Sequence, residues 1–242
     1  MAASRTEAKA FVESGAVTVN GKVVTKPSFS VLDTDEVELD RSSKKYASRG
    51  GFKLEFALDS FKVCVVGKRC LDIGASSGGF TDCLLLRGAE RVIAVDSGSG
   101  QMVERLRADG RVEVIENFNA RYMKPSDLSF SPSLAVMDVS FISATHIIPA
   151  VFECLSLGGE FVCLIKPQFE VGRANIGKGG IVKDEKARMS AVRTVVDFAK
   201  RVGFIHLGTV TSPITGTDGN IEYLAYFRKE GRVGYEKDNN CT

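Results

Sequence analysis

Tryptophan is absent from this 242-residue chain, and histidine occurs only twice. With so few imidazoles, and no Cys-x-x-Cys pair among six cysteines (residues 64, 70, 83, 154, 163 and 241), a zinc site lacks a ligand set and no metal is expected. Four of the cysteines fall in apolar strand or helix patterns, where a thiol serves as a small hydrophobe. Long apolar runs are lacking as well. Phe161 to Ile165 is typical of the longest, far below the roughly 18 residues needed to span a bilayer. No charged-then-apolar leader opens the chain, so a cytoplasmic protein with no membrane partner is expected.

A large excess of either charge is missing too, the formal net charge being +2. Its distribution is uneven. Residues 1–40 carry four basic and seven acidic side chains, residues 41–53 carry five basic and none acidic, and the remainder is balanced at 23 of each. The basic segment (Arg41, Lys44, Lys45, Arg49, Lys53) reads either as a solvated linker or as a strip that contacts phosphates.

What the chain does hold is enough apolar residue, 44%, for one sizeable domain plus a small one. At the N-terminus, Ser4-Arg-Thr-Glu7 has the form of a capping box, followed by Ala8, Phe11 and Val12 at helical spacing. Val17–Val19, Asn20-Gly21 and Lys22–Val24 form a hairpin signal, and residues 35–39 alternate as a third strand. From Arg69 onward, strands (69–73, 91–95, 112–115, 134–138, 160–165) alternate with helices (79–87, 101–108, 144–155, 183–202), and strands near 205–211 and 221–228 close the pattern. Such alternation predicts an α/β, doubly wound, Rossmann-like sheet that binds its ligand at the strand C-termini. The expected division is a small module over 1–42, a basic linker and first helix over 43–66, the main domain over 67–232 and a flexible tail over 233–242.

Cys70-Leu-Asp-Ile-Gly-Ala-Ser-Ser-Gly-Gly-Phe80 is a buried strand that enters a helix through a small-residue turn. Ser76 stands where a dinucleotide fingerprint needs glycine, and Asp72 would repel phosphate. A cofactor with a sulfonium and an amino-acid zwitterion fits better, which points to S-adenosyl-L-methionine. Asp72 and the backbone from Gly74 through Ser76 and Gly78 to Gly79 and Phe80 are the candidates to hold its methionyl end. Asp96, at the end of the next strand, is placed to accept from ribose hydroxyls. Asn117 and Asn119 read equally as adenine contacts or as turn formers.

Four ionisable residues sit where charge is costly: Lys53 at the head of a helix, Asp138 and Lys166 at strand ends, and Glu222 at the start of the last strand. Two lysines and two carboxylates can satisfy one another. They suit methylation of a hydroxyl, with one lysine as base, the other stabilising the alkoxide, and the carboxylates orienting both. The stretch 167–180 reads as a long loop beside the site, with Phe169 placed to stack on a base and Arg173 and Lys178 to hold phosphates, or else as a plain surface loop.

Ser48-Arg-Gly-Gly-Phe-Lys53, Leu71 to Phe80, Val136-Met-Asp-Val-Ser-Phe141, Ile165-Lys-Pro-Gln-Phe-Glu170 and Gly219-Asn-Ile-Glu222, taken in order, resemble the haemolysin-A (TlyA) family. Those proteins are FtsJ-like methyltransferases joined to an S4-type RNA-binding domain, which the N-terminal module resembles in part. The resemblance implies that Lys53, Asp138, Lys166 and Glu222 form a catalytic tetrad. It further implies rRNA or a ribosomal subunit as partner and methylation of a ribose 2′-hydroxyl, in the best-known members that of a cytidine. Two other readings stand beside it: an RNA-binding protein with an idle methyltransferase fold, and a membrane-active haemolysin, as the family's name suggests.

Overall fold

The computed structural model describes residues 5–13, 15–39, 45–172, 176–216 and 219–230. Ser4, Arg41, Lys44, Arg173 and the 233–242 tail named above lie outside the described residues. The N-terminal module is α1 (Arg5–Glu13) with three short strands, β1 (Val17–Val19), β2 (Lys22–Val24) and β3 (Val37–Leu39), paired antiparallel in the order β2-β1-β3. Asn20 and Gly21 take positive φ (49° and 72°), which gives the hairpin its primed turn. The third strand starts two residues later than its alternation predicts. Asp35 is occupied in the preceding turn, where its carboxylate accepts from Asn20 Nδ2 and from the Leu32 N–H.

The main domain runs α2 (Gly50–Phe61), β4 (Arg69–Ile73), α3 (Gly79–Leu86), β5 (Arg91–Val95), α4 (Glu104–Arg107), β6 (Val112–Ile115), β7 (Leu134–Met137), α5 (Ile148–Cys154), β8 (Glu160–Ile165), α6 (Pro167–Glu170), α7 (Glu185–Val202), β9 (Phe204–Thr211) and β10 (Tyr223–Lys229). Its seven strands lie in the order β6-β5-β4-β7-β8-β10-β9. The pairs among β4 to β8 are parallel, whereas β10 runs antiparallel to both of its neighbours. Chain order reverses direction between β4 and β7, which makes their C-terminal ends the topological switch point where such sheets take ligands.

Both faces of the sheet are covered, so its strands are apolar on both sides. Leu71, Ile73, Phe161, Cys163 and Ile165 pack on the face that meets α5 and α7, while Cys70, Val162 and Leu164 pack with Leu54, Leu58 and Leu84 on the face that meets α2 and α3. Phe161 and Phe227 are wholly buried, and burying each ring stabilises the fold by roughly 1.5–3 kcal/mol.

Three elements differ from their sequence pattern. The helix expected at 101–108 shrinks to α4 because Val103 is extended and its N–H bonds to Ser77 O. The 144–155 segment splits into a 3-10 turn, Ala144–His146, and then α5, because Pro149 lacks the N–H that a continuous helix would need and suits a first turn instead. The supposed loop after Lys166 opens as the single turn α6, with Pro167 at its start. Beyond these, the main-domain elements fall within a few residues of their expected positions, and the 3-10 turn Lys178–Gly180 lies in the remainder of that stretch.

Candidate active site

Two clefts open at the C-terminal ends of the parallel strands. One, of about 370 Å³, is walled by Ser48, Arg49, Lys53, Lys166, Thr215 and Glu222. The other, of about 460 Å³, is walled by Asp96, Gln101, Phe118, Asn119, Ser140 and Phe141. Gly74, Ser76 and Asp138 line both, so the clefts share a wall at the switch point. Gly74 takes φ +81°, and a Cβ there would lie less than 3.0 Å from the Asp138 carbonyl oxygen. Only glycine lets the turn after β4 press against the end of β7 in this way.

The first cleft gathers all four charged candidates. Lys53, in the first turns of α2, is buried and donates to Glu222 Oε2 at 2.5 Å, with side-chain exposures of 10% and 2%. Glu222 sits one residue ahead of β10, and Asp138 one residue beyond β7. Lys166 follows β8, where it lies 2.6 Å from Asp138 Oδ1 and donates to Ser140 Oγ at 2.7 Å. Gly79 and Phe80 line this cleft too, rather than the second one for which they were singled out.

The second cleft is built around Asp96. Its carboxylate accepts from the Ser76 N–H (2.7 Å) and the Gly98 N–H (2.7 Å), which fixes it while each oxygen keeps further lone-pair capacity. Ser76 Oγ bonds Gln101 Oε1 at 3.0 Å and holds the far rim. Asn119 lines the cleft, yet its side chain also caps a 3-10 turn by accepting from the Arg121 N–H. Asn117 is exposed at φ 55° and lines neither cleft, which leaves it a turn former.

Asp72 and Gly78 are corrections to the sequence reading, because neither lines a cleft. Gly78 caps α3, packed against Leu106. Asp72 is fully buried beneath the turn and accepts from Thr81 Oγ1 at 2.6 Å, while its other oxygen has no hydrogen-bond partner. Burial pushes this carboxyl up to about 7, the Thr81 hydroxyl opposes that shift, and the nearby Asp138 charge adds to it.

The described residues of the basic segment take separate partners. Lys45 is paired with Glu55 at 2.5 Å and lies over the Tyr46 ring, whereas Arg49 turns into the first cleft. Phe169, on α6, faces Phe141 with ring centroids 5.3 Å apart. Phe141 is 92% exposed and holds φ 65°, an unusual conformation for an aromatic residue. Sequence reasoning missed Phe141, Ser140, Thr81 and Gln101. Quoted motifs contain Ser140 and Phe141 and end just before Thr81, but no sequence pattern marks Ser140, Phe141 and Gln101 as cleft-lining or Thr81 as the buried partner of Asp72. Among the described residues, no helix is long and apolar enough to cross a membrane.

This strand order, with paired lysines and carboxylates at the switch point, defines a methyltransferase. Residues 46–229 match the FtsJ-like methyltransferase model and residues 1–37 match the S4 domain. The chain is 41% identical to the 16S/23S rRNA (cytidine-2′-O)-methyltransferase TlyA of Mycobacterium tuberculosis, over 95% of this chain and 86% of that protein. It is 45% identical to Hemolysin A of Brachyspira hyodysenteriae, over 93% of each. A solved structure from Streptococcus thermophilus, described as a hemolysin, superposes with a TM-score of 0.79 at 45% identity, over 94% of this chain and 83% of that one. The chain belongs to the TlyA and hemolysin A family of FtsJ-like methyltransferases.

Proposed function

We propose that this enzyme methylates a ribose 2′-hydroxyl of rRNA, that of a cytidine, with S-adenosylmethionine as methyl donor. The observation that carries the reading is the shared wall. A donor pocket and a charged acceptor pocket meet at Gly74, Ser76 and Asp138, so a donor in one and a hydroxyl in the other come together along that common edge. The names of the curated relatives support the substrate.

The donor set of the second cleft fits the cofactor. The glycine turn leaves room for a chain to lie against backbone, and Asp96 on the cleft wall offers acceptors to a ribose diol. When bound, S-adenosylmethionine supplies an electrophilic methyl group on a sulfonium. The protein's own residues do the rest. Lys166 takes the proton from the hydroxyl, Lys53 stabilises the oxygen as negative charge grows on it, and Glu222 and Asp138 hold the two amines in place. Much of the acceleration comes from alignment of oxygen and methyl where the two clefts join. Phe141, exposed on the wall of the second cleft and backed by the half-buried Phe169 ring, is fit to stack a base whose ribose enters the acceptor cleft. Arg49 borders the acceptor cleft and is the best-placed cation for an incoming phosphate.

The test is transfer of a labelled methyl group to ribosomal subunits that lack the modification. Lys166→Ala should lower turnover by roughly 10²–10⁴-fold with cofactor affinity nearly unchanged. Lys166→Arg should fail to rescue, because guanidinium does not give up its proton. Full activity in Lys166→Ala would overturn the assignment, and label found on a base instead of a ribose would overturn the reaction class.

A further inference from the structure

The two lysines of the acceptor cleft are anchored differently. Lys53 makes an aligned hydrogen bond to the Glu222 carboxylate. Lys166 approaches Asp138 Oδ1 to 2.6 Å, yet that oxygen carries no aligned hydrogen bond, so the contact is one of charge without direction. The aligned bond of Lys166 runs to Ser140 Oγ at 2.7 Å. Ser140 belongs to the donor cleft, Lys166 to the acceptor cleft, and Asp138 to both. The serine hydroxyl therefore reaches across the shared wall to the amine.

We propose that Ser140 is a positioning residue for methyl transfer, setting the direction in which Lys166 presents its nitrogen to the acceptor hydroxyl. The proposal rests on the reading of Lys166 as the base. A lysine nitrogen has three directions besides its Cε bond. Asp138 draws one toward its charge and Ser140 fixes a second, which leaves the third for the cleft that Lys166 lines. As the amine, the nitrogen keeps two N–H groups for Asp138 and Ser140, and its lone pair occupies that third direction. Without the hydroxyl, the amine rotates about its Cε–Nζ bond and the lone pair spends its time elsewhere. A water that takes the place of the hydroxyl on the exposed side bonds the amine without a covalent tether and so does not fix its direction. Ser140 itself is exposed on the donor side, so truncating it leaves no hole in the core.

Ser140→Ala and Ser140→Thr, measured beside Lys166→Ala on the full chain with ribosomal subunits as substrate, test this. The alanine variant should lower kcat by roughly 10–100-fold, the scale of one lost hydrogen bond to a charged group. KM for the subunit, cofactor affinity by calorimetry and the melting temperature should stay at wild-type values. The threonine variant, which keeps the hydroxyl, should recover most of the loss. Wild-type kcat in Ser140→Ala alongside an inactive Lys166→Ala would overturn the positioning role alone. A loss confined to cofactor affinity would overturn it as well, by assigning Ser140 to the donor cleft. An active Lys166→Ala would overturn the base assignment on which the proposal rests.

Discussion

Replacing Gly74 by alanine separates two costs that a second glycine isolates. At φ +81° an L-residue pays roughly 1–2 kcal/mol for the left-handed conformation. The new Cβ also meets the Asp138 carbonyl oxygen, a backbone atom that cannot swing away as a side chain would, and crowding of that kind costs about 1–3 kcal/mol more. The sum, about 2–5 kcal/mol, should lower the melting temperature of a chain this size by roughly 5–15 °C. Gly100 has nearly the same backbone, φ +67°, with nothing within 4 Å of a Cβ. Gly100→Ala should therefore pay the conformational cost alone, a fall of roughly 2–8 °C. Any gain from stiffening the unfolded chain is common to both and cancels in the comparison. Scanning calorimetry gives the melting temperatures, and titration with S-adenosylmethionine gives a second readout. Gly74→Ala should weaken binding at least about tenfold because it forces the shared wall apart, whereas Gly100→Ala should bind like wild type. If the two variants melt together and bind alike, the close approach of β4 and β7 is not what shapes the site.

Asp96→Ala should weaken S-adenosylmethionine binding by roughly 1–3 kcal/mol in calorimetry, through loss of a charged acceptor, and unchanged affinity would remove Asp96 from the donor site. Asp72, ordinarily near 3.8 and held at about 7 in the fold, binds more protons folded than unfolded between those values. Its contribution to stability is present at low pH and lost as pH rises through that window, by up to about 1.4 kcal/mol per pH unit. Asp72→Asn, which keeps an acceptor for Thr81, should therefore gain stability relative to wild type from pH 4 to pH 7 in urea unfolding, and a pH-independent difference would refute the buried-acid reading. For the basic segment, Arg41→Gln and Lys44→Gln should each lower the salt slope of RNA binding by about 0.7–0.9 if they contact phosphate. Lys45→Gln should lower it less, because Glu55 already pairs with that amine, and an unchanged slope in all three would leave the segment a linker.

The parallel strands were legible because burial on both faces makes them apolar without interruption, as in Leu134 to Met137 and Phe161 to Ile165. That same apolarity exposed the tetrad, since Asp138 and Lys166 break the pattern where each strand ends. The donor cleft was legible in part. Asp96 announced itself just past a strand end, but Asp72, still inside β4 and in register with Ala94, points into the core and finds Thr81, a pairing set by how α3 packs. Local spacing cannot separate those two fates. Nor can it reveal that Lys45 is spent on Glu55, ten residues away on α2, or that the Lys166 amine donates to Ser140 Oγ.

The antiparallel strand β10 is the last element among the described residues, yet it lies inside the sheet, between β8 and β9. Glu222, which satisfies the buried Lys53 amine from 169 residues away, arrives only with that strand. Until it inserts, β8 has an open edge and Lys53 lacks its carboxylate partner. A nascent chain synthesised as far as β9 can thus hold a nearly complete Rossmann-like half and still be unable to close its acceptor cleft.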